Sequence, residues 1–153
     1  MGVTSLSLDN PVFSAFVTYA VLVILKTMIM SFFTAYQRMS NKAFSNEEDV
    51  ASFKGGKKFE VIRYHPAVER VRRCHQNDLE NVIPFVLLGL LYVASGPSLW
   101  AALLHFRIFT VTRFLHTLIY LNGVRQPARA LSFLSGVAVN ISMAVAVLGK
   151  GTF

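Results

Sequence analysis

The chain has 153 residues, of which 54% are hydrophobic and only 15% charged, against roughly 25% charged in soluble domains. Too little polar surface remains for a water-soluble fold, 13 phenylalanines exclude disorder, and Cys74 as the single cysteine excludes an intrachain disulfide scaffold. The net charge of +7 gathers in a segment where nine basic residues between 38 and 73 overlap seven of the eight acids between 47 and 80, a mixed-charge pattern that does not make a nucleic-acid stripe.

Residues 12–37 contain one charge, Lys26, and exceed the roughly 20 apolar residues that a bilayer crossing takes. Lys26 reads as a snorkelling or packing residue. The flank MGVTSLSLDNP has no basic residue and contains Asp9, so a cleaved signal peptide is not expected and the first helix should be retained. A loop over about 40–65 follows, with a KGGKK turn at 54–58. The second span is expected over 66–94, because Pro66 suits a first helical position and Ser95-Gly96-Pro97 is a strong turn signal. Its charged first half should project beyond the bilayer. The third span is expected over 99–121, carrying Arg107 and Arg113 and stopping at Asn122-Gly123, and the fourth over 127–149.

The expected fold is therefore an all-α integral membrane protein, one four-helix domain over residues 1–153. The basic cluster, Arg125 and Arg129 fall in the loops after the first and third spans, which puts those loops in the cytosol and both chain ends in the lumen.

Ionisable groups within spanning helices are expensive and need partners, which makes them functional candidates. In ERVRRCHQNDLEN, from Glu69 to Asn81, helical spacing puts Arg70, Arg73, Asn77 and Glu80 within an arc of roughly 80°, with Arg72 and His75 on another face. A helix polar on two faces belongs between other helices, within or between subunits. Arg73, Asn77 and Glu80 also form an i, i+4, i+7 ladder of the kind that merely solvates a helix end. On the third span Arg113, His116 and Tyr120 share an arc of roughly 60°. Arg129 opens the fourth span and Arg38 closes the first, so all four helices bring a polar group to one depth. Such a ring suits a small ligand with several carboxylates and an amine: arginines clamp carboxylates through paired donors, Glu80 takes an ammonium and Asn77 complements amides. The apolar helices beside it would admit a lipid-soluble second substrate. His65, His75, His105 and His116 are scattered, so with one cysteine no zinc-ligand spacing exists and no metal is expected.

The stretches ERVRRCHQNDLENVIPF, GLLYVASGP, HFRIF, RFLHTLIY and QPARALSF resemble the MAPEG family of membrane proteins in eicosanoid and glutathione metabolism. The resemblance runs from FSAF in the first span through KAFSNEED in the loop to the fourth span. It implies a homotrimer in the endoplasmic reticulum membrane, with the mitochondrial outer membrane as a second location, and glutathione bound as co-substrate between subunits on the cytosolic side. It also implies conjugation of glutathione to hydrophobic electrophiles and reduction of lipid hydroperoxides. By position, glutathione contacts fall on Arg38, Arg72, Arg73, His75, Asn77, Glu80, His116 and Tyr120, with Arg113 nearby, while Arg129 stabilises the thiolate and Tyr120 donates to the sulfur. Where the family's prostaglandin E synthase branch has a serine and a tyrosine, this chain has Ala130 and Phe133, which favours the transferase branch over that isomerase. Mammalian transferases of this type carry a reactive cysteine where Val50 stands, so activation by modification there is not expected. A non-catalytic lipid-binding scaffold of the same family is the other alternative. A channel would need a continuous polar path, which the uncharged luminal halves of the second and fourth spans do not supply.

Overall fold

A computed structural model describes residues 6–52 and 61–151, so the KGGKK turn lies outside the described residues. Four long helices and one short one are present, and no strand occurs among the described residues: α1 Pro11–Ser40, α2 Glu47–Ser52, α3 Pro66–Ala94, α4 Leu99–Leu121 and α5 Ala128–Leu148. Each boundary has a local cause. Asn10 caps α1 by accepting from the Val12 amide at 2.9 Å, with Pro11 behind it supplying a preset helical φ. Ser98 caps α4 through the Ala101 amide at 3.3 Å. Between α3 and α4 the chain turns at Gly96, and after α4 at Gly123, both at φ +68°, the left-handed region that a side chain disfavours. The short α2 holds Glu47, Glu48 and Asp49 in its first turn, where carboxylates oppose the helix dipole.

α1, α3 and α5 are each long and apolar enough to cross a membrane. α4, at 23 residues, is about 35 Å long, but His105, Arg107, Arg113 and His116 are spread along it and leave no stretch as apolar as those of the other three. Three helices with an apolar stretch of bilayer length are thus evident, and α4 is a helix of spanning length whose polar residues are spread along it instead of gathered at one end as in α3.

The four long helices form a ring in which α1 packs on α3 and α4, and α5 packs on α3 and α4. The α3–α4 contact crosses the ring, while α1 and α5 stand apart at opposite corners. The core fills the end away from the charged half of α3 with interlocked aromatics. Phe85 and Phe109 stack with centroids 3.9 Å apart, Phe106 meets Phe85 edge-on, and Phe16 packs on Phe85 and Phe106. Gly89 allows α1 to approach α3 there: a β-carbon at that position would lie 2.3 Å from Phe16 Cε2. Outside the core, Leu22, Leu25, Ile29, Phe32, Leu87, Leu131 and Val145 leave broad apolar faces exposed, as lipid or a neighbouring subunit requires.

Candidate functional site

The polar residues converge at one end of the bundle, formed by the first half of α3, the last half of α1, the end of α4 and the start of α5. Two open cavities flank α3 there. The first, of about 210 Å³, is lined by Tyr64, Pro66, Glu69, Arg70, Arg73, Tyr120 and Arg129. Three arginines against one glutamate make it cationic. The Arg129 guanidinium lies 4.9 Å over the Tyr120 ring, which fixes it against an aromatic face. The second cavity, of about 440 Å³, lies between α1 and α3 and is lined by Ser31, Thr34, Glu69, Arg72, Arg73, His75, Gln76 and Leu79. Arg73 and Glu69 border both.

The remaining candidates are placed differently. Arg113, expected near the ligand, is fully buried and turns its two terminal nitrogens on groups inside the protein, Nη1 on Asn77 Oδ1 at 3.2 Å and Nη2 on the Ser132 carbonyl at 2.8 Å and the Phe133 carbonyl at 3.4 Å. Gly136 leaves the space that its guanidinium fills, since a β-carbon there would sit 3.0 Å from Arg113 Nε. Asn77 is consequently held by Arg113 and orients its amide from within the bundle. His116 is also buried, one turn below Tyr120, with ring centroids 5.5 Å apart. Arg38 donates to the Ala43 carbonyl at 3.3 Å and to the Ser45 hydroxyl, anchoring the loop that follows α1. Arg72 pairs with Glu69 at 2.6 Å on the surface, and exposed Glu80 accepts from Gln76 at 3.1 Å. Neither Arg38 nor Glu80 lines either cavity. One chain therefore brings Arg73, Tyr120 and Arg129 together, adds Arg72 and His75 across α3, ties Arg38 to the loop after α1 and leaves Glu80 exposed.

Beneath the cavities lies a polar element that the sequence reading did not find. Lys26 of α1 and Asp78 of α3 form an ion pair in the interior, beside Cys74, whose thiol lies 3.8 Å from the Thr117 hydroxyl. Two signals were available. Lys26 is the lone charge of its span, and Asp78 falls on the buried stripe Val71, Cys74, Asp78, Val82 and Phe85, where an acid stays only if a cation meets it. Among the described residues no group of three or more His, Cys, Asp or Glu is placed to hold a metal ion.

Apolar helices of bilayer length, packed around a core, define the class of an integral membrane protein, here with a cationic cavity lined by an aromatic ring at one end. The chain belongs to the MAPEG family, which its residues 16–149 match. It is 50% identical to microsomal glutathione S-transferase 1 of Mus musculus and 49% identical to that of Homo sapiens, over 92% of each chain. It is also 36% identical to prostaglandin E synthase of Homo sapiens, over 97% of this chain and 95% of that one.

Proposed function

We propose that this protein is a membrane-bound glutathione transferase that directs the glutathione thiolate at hydrophobic electrophiles. The observation that carries the reading is the Arg129 guanidinium held 4.9 Å over the Tyr120 ring at a cavity that Arg70 and Arg73 also line. A thiol of pKa about 8.5 is mostly protonated at neutral pH, so an enzyme of this kind needs a cation and a donor beside the sulfur. Arg129 supplies the cation and Tyr120 the hydroxyl. The thiol proton passes to solvent, the sulfur attacks the electrophilic carbon, and the leaving group departs with its electron pair. Identity of about half the positions to named glutathione S-transferases supports the same reading. Ala130 and Phe133 offer no hydroxyl groups, which weighs against the isomerase alternative.

In this proposal α4 is a fourth span, and the polar end of the bundle faces the cytosolic side of the endoplasmic reticulum membrane. Glutathione binds between subunits of a homotrimer. The division of the arginines between two open cavities, with Arg72 and Glu80 turned outward, supports a site that a neighbouring subunit completes. Arg72, Arg73 and Arg38 then receive carboxylates, Glu80 the ammonium, and His75, Asn77, Arg113 and His116 orient or support these contacts. Lipid hydroperoxides are a second substrate class, each reduced to the alcohol and water by two glutathione molecules that leave as the disulfide.

The test is glutathione-dependent turnover of an aryl halide by the purified protein in detergent. Conjugate should form at a rate well above the buffer reaction. A protein that binds a hydrophobic probe but forms no conjugate and retains no glutathione is a lipid-binding scaffold, and the proposal fails.

A further inference from the structure

Away from the polar end, Arg107 of α4 is exposed on the outer face of the bundle. It lies eight residues, about 12 Å, into its helix, and Tyr19 lies as far into α1. Arg107 Nε donates to the Tyr19 hydroxyl at 3.1 Å, so the guanidinium points along the seam between α1 and α4. Among the described residues no carboxylate lies within ion-pair distance of it. A cation facing the apolar interior of a bilayer needs a counter-ion.

The same seam continues as an apolar groove of about 340 Å³, walled by Leu22, Leu25, Ile29 and Phe33 of α1 and by Phe114 and Leu118 of α4. The spacings Tyr19 to Lys26 to Phe33, and Arg107 to Phe114, are each seven residues, which keeps the pair and the groove on one line. Lys26 reaches the groove floor, but its charge is already met by Asp78. From Leu22 to Phe33 the groove runs about 17 Å along α1, the scale of one acyl chain. Leu22 and Val111, both exposed, fill the turn between the cation and the groove with apolar surface.

We propose that Arg107 and Tyr19 bind the head of a single-chain, long-chain carboxylate whose tail lies in the α1–α4 groove. A guanidinium receives a carboxylate through two parallel donors, and the Tyr19 hydroxyl can donate a third hydrogen bond. One groove beside one cation, set inside the helix end, matches a fatty acid better than a two-chain phospholipid with its head at the interface. The inference rests on α4 standing in the bilayer and is independent of how glutathione is handled at the other end.

The test uses the full-length protein in neutral phosphatidylcholine nanodiscs, with stearic acid bearing a nitroxide on its chain as the probe. Electron paramagnetic resonance should reveal an immobilised component that unlabelled oleate displaces. Arg107→Gln should weaken binding about tenfold or more, and Leu25→Trp, which fills the groove, should abolish it. Aryl halide turnover with glutathione should be unaffected by Arg107→Gln, which separates failure here from failure of the transferase reading. The wild type alone gives a further comparison, because the methyl ester of the probe should show no immobilised component. Equal immobilisation of acid and ester, or unchanged binding by Arg107→Gln, overturns the proposal. Displacement by phosphatidylglycerol as effective as that by oleate also overturns it, in favour of a general anionic-lipid contact.

Discussion

The Lys26 ammonium on α1 and the Asp78 carboxylate on α3 are ion-paired inside the bundle, 6% and 0% exposed, directly beneath the cavities of the polar end. The pair joins the two helices that flank the larger cavity and sets their rotation there. Desolvation cancels much of the attraction of such a pair, so its loss as a unit matters less than the loss of one member.

A double-mutant cycle follows from that asymmetry. Asp78→Asn should destabilise the protein by about 3–5 kcal/mol, because it strands a buried ammonium. Lys26→Met combined with Asp78→Leu should recover most of the loss, read from unfolding midpoints in a fixed detergent. Additive losses in the double variant would mean that the two charges do not meet.

Close approach of α1 and α3 at Gly89 is the second point of leverage. Gly89→Ala should cost about 1–3 kcal/mol, because its β-carbon would sit on the Phe16 ring. Phe16→Leu in the same chain should return part of that stability by opening room. A thermally neutral Gly89→Ala would contradict the close packing of these helices.

For the proposed chemistry Arg129 is decisive. Arg129→Leu should lower kcat by tenfold or more while leaving glutathione affinity within a few-fold, the signature of an interaction made mainly in the activated state. In that variant activity should climb through about pH 8.5 as the thiol ionises unaided, whereas the native enzyme should already be near its plateau at neutral pH. An unchanged pH profile would make Arg129 a helix-end anchor stacked on Tyr120.

Glu80 tests whether a second subunit completes the site. On one chain it is exposed and bonds only Gln76, so its charge has no intramolecular task. If it receives the glutathione ammonium across an interface, Glu80→Gln should weaken binding by about tenfold to a hundredfold in equilibrium titration, with stability unaltered. Wild-type affinity in that variant would return Glu80 to the role of helix-end solvation.

The orientation is tested in sealed microsomes, where added protease should cut at Lys57 and Lys58 without detergent if the basic side is cytosolic. Protection of these sites until detergent is added would place the loop, and with it the polar end, in the lumen.

The helix ends were legible because punctuation is local: Pro66, Ser95-Gly96-Pro97 and Asn122-Gly123 stand where α3 begins, where α3 ends and where α4 ends. The shared side was also legible, since Arg73 in the first half of α3, Tyr120 at the end of α4 and Arg129 at the start of α5 belong to one end of the bundle, and the structure gathers them at one cavity. What periodicity does not contain is the rotation of one helix against another. Arg113, His116 and Tyr120 share one face of α4, yet that face meets α5 at Arg113 and opens at Tyr120. The Lys26–Asp78 pair was missed for the same reason, since each charge is an exception on its own helix and only their packing joins them. Helix α2 went unread, because six residues are too few for a periodic signal.

The buried guanidinium of Arg113 also has a bearing on biogenesis. Its acceptors are an α3 side chain and two carbonyls near the start of α5, and α5 is translated after α4. A nascent chain that has released only as far as Leu121 therefore carries a cation that lacks both of its α5 acceptors. In the four-span topology, α4 would wait beside α3 and within reach of water or the insertion machinery until the next 15 or so residues emerge, because an arginine at mid-span opposes entry into lipid by about 2.5–3.5 kcal/mol. Stalled intermediates fused to a C-terminal linker long enough to fill the ribosomal exit tunnel should be extractable at alkaline pH in larger proportion when truncated before Ala128 than when extended beyond Gly136, with the difference reduced by Arg113→Leu.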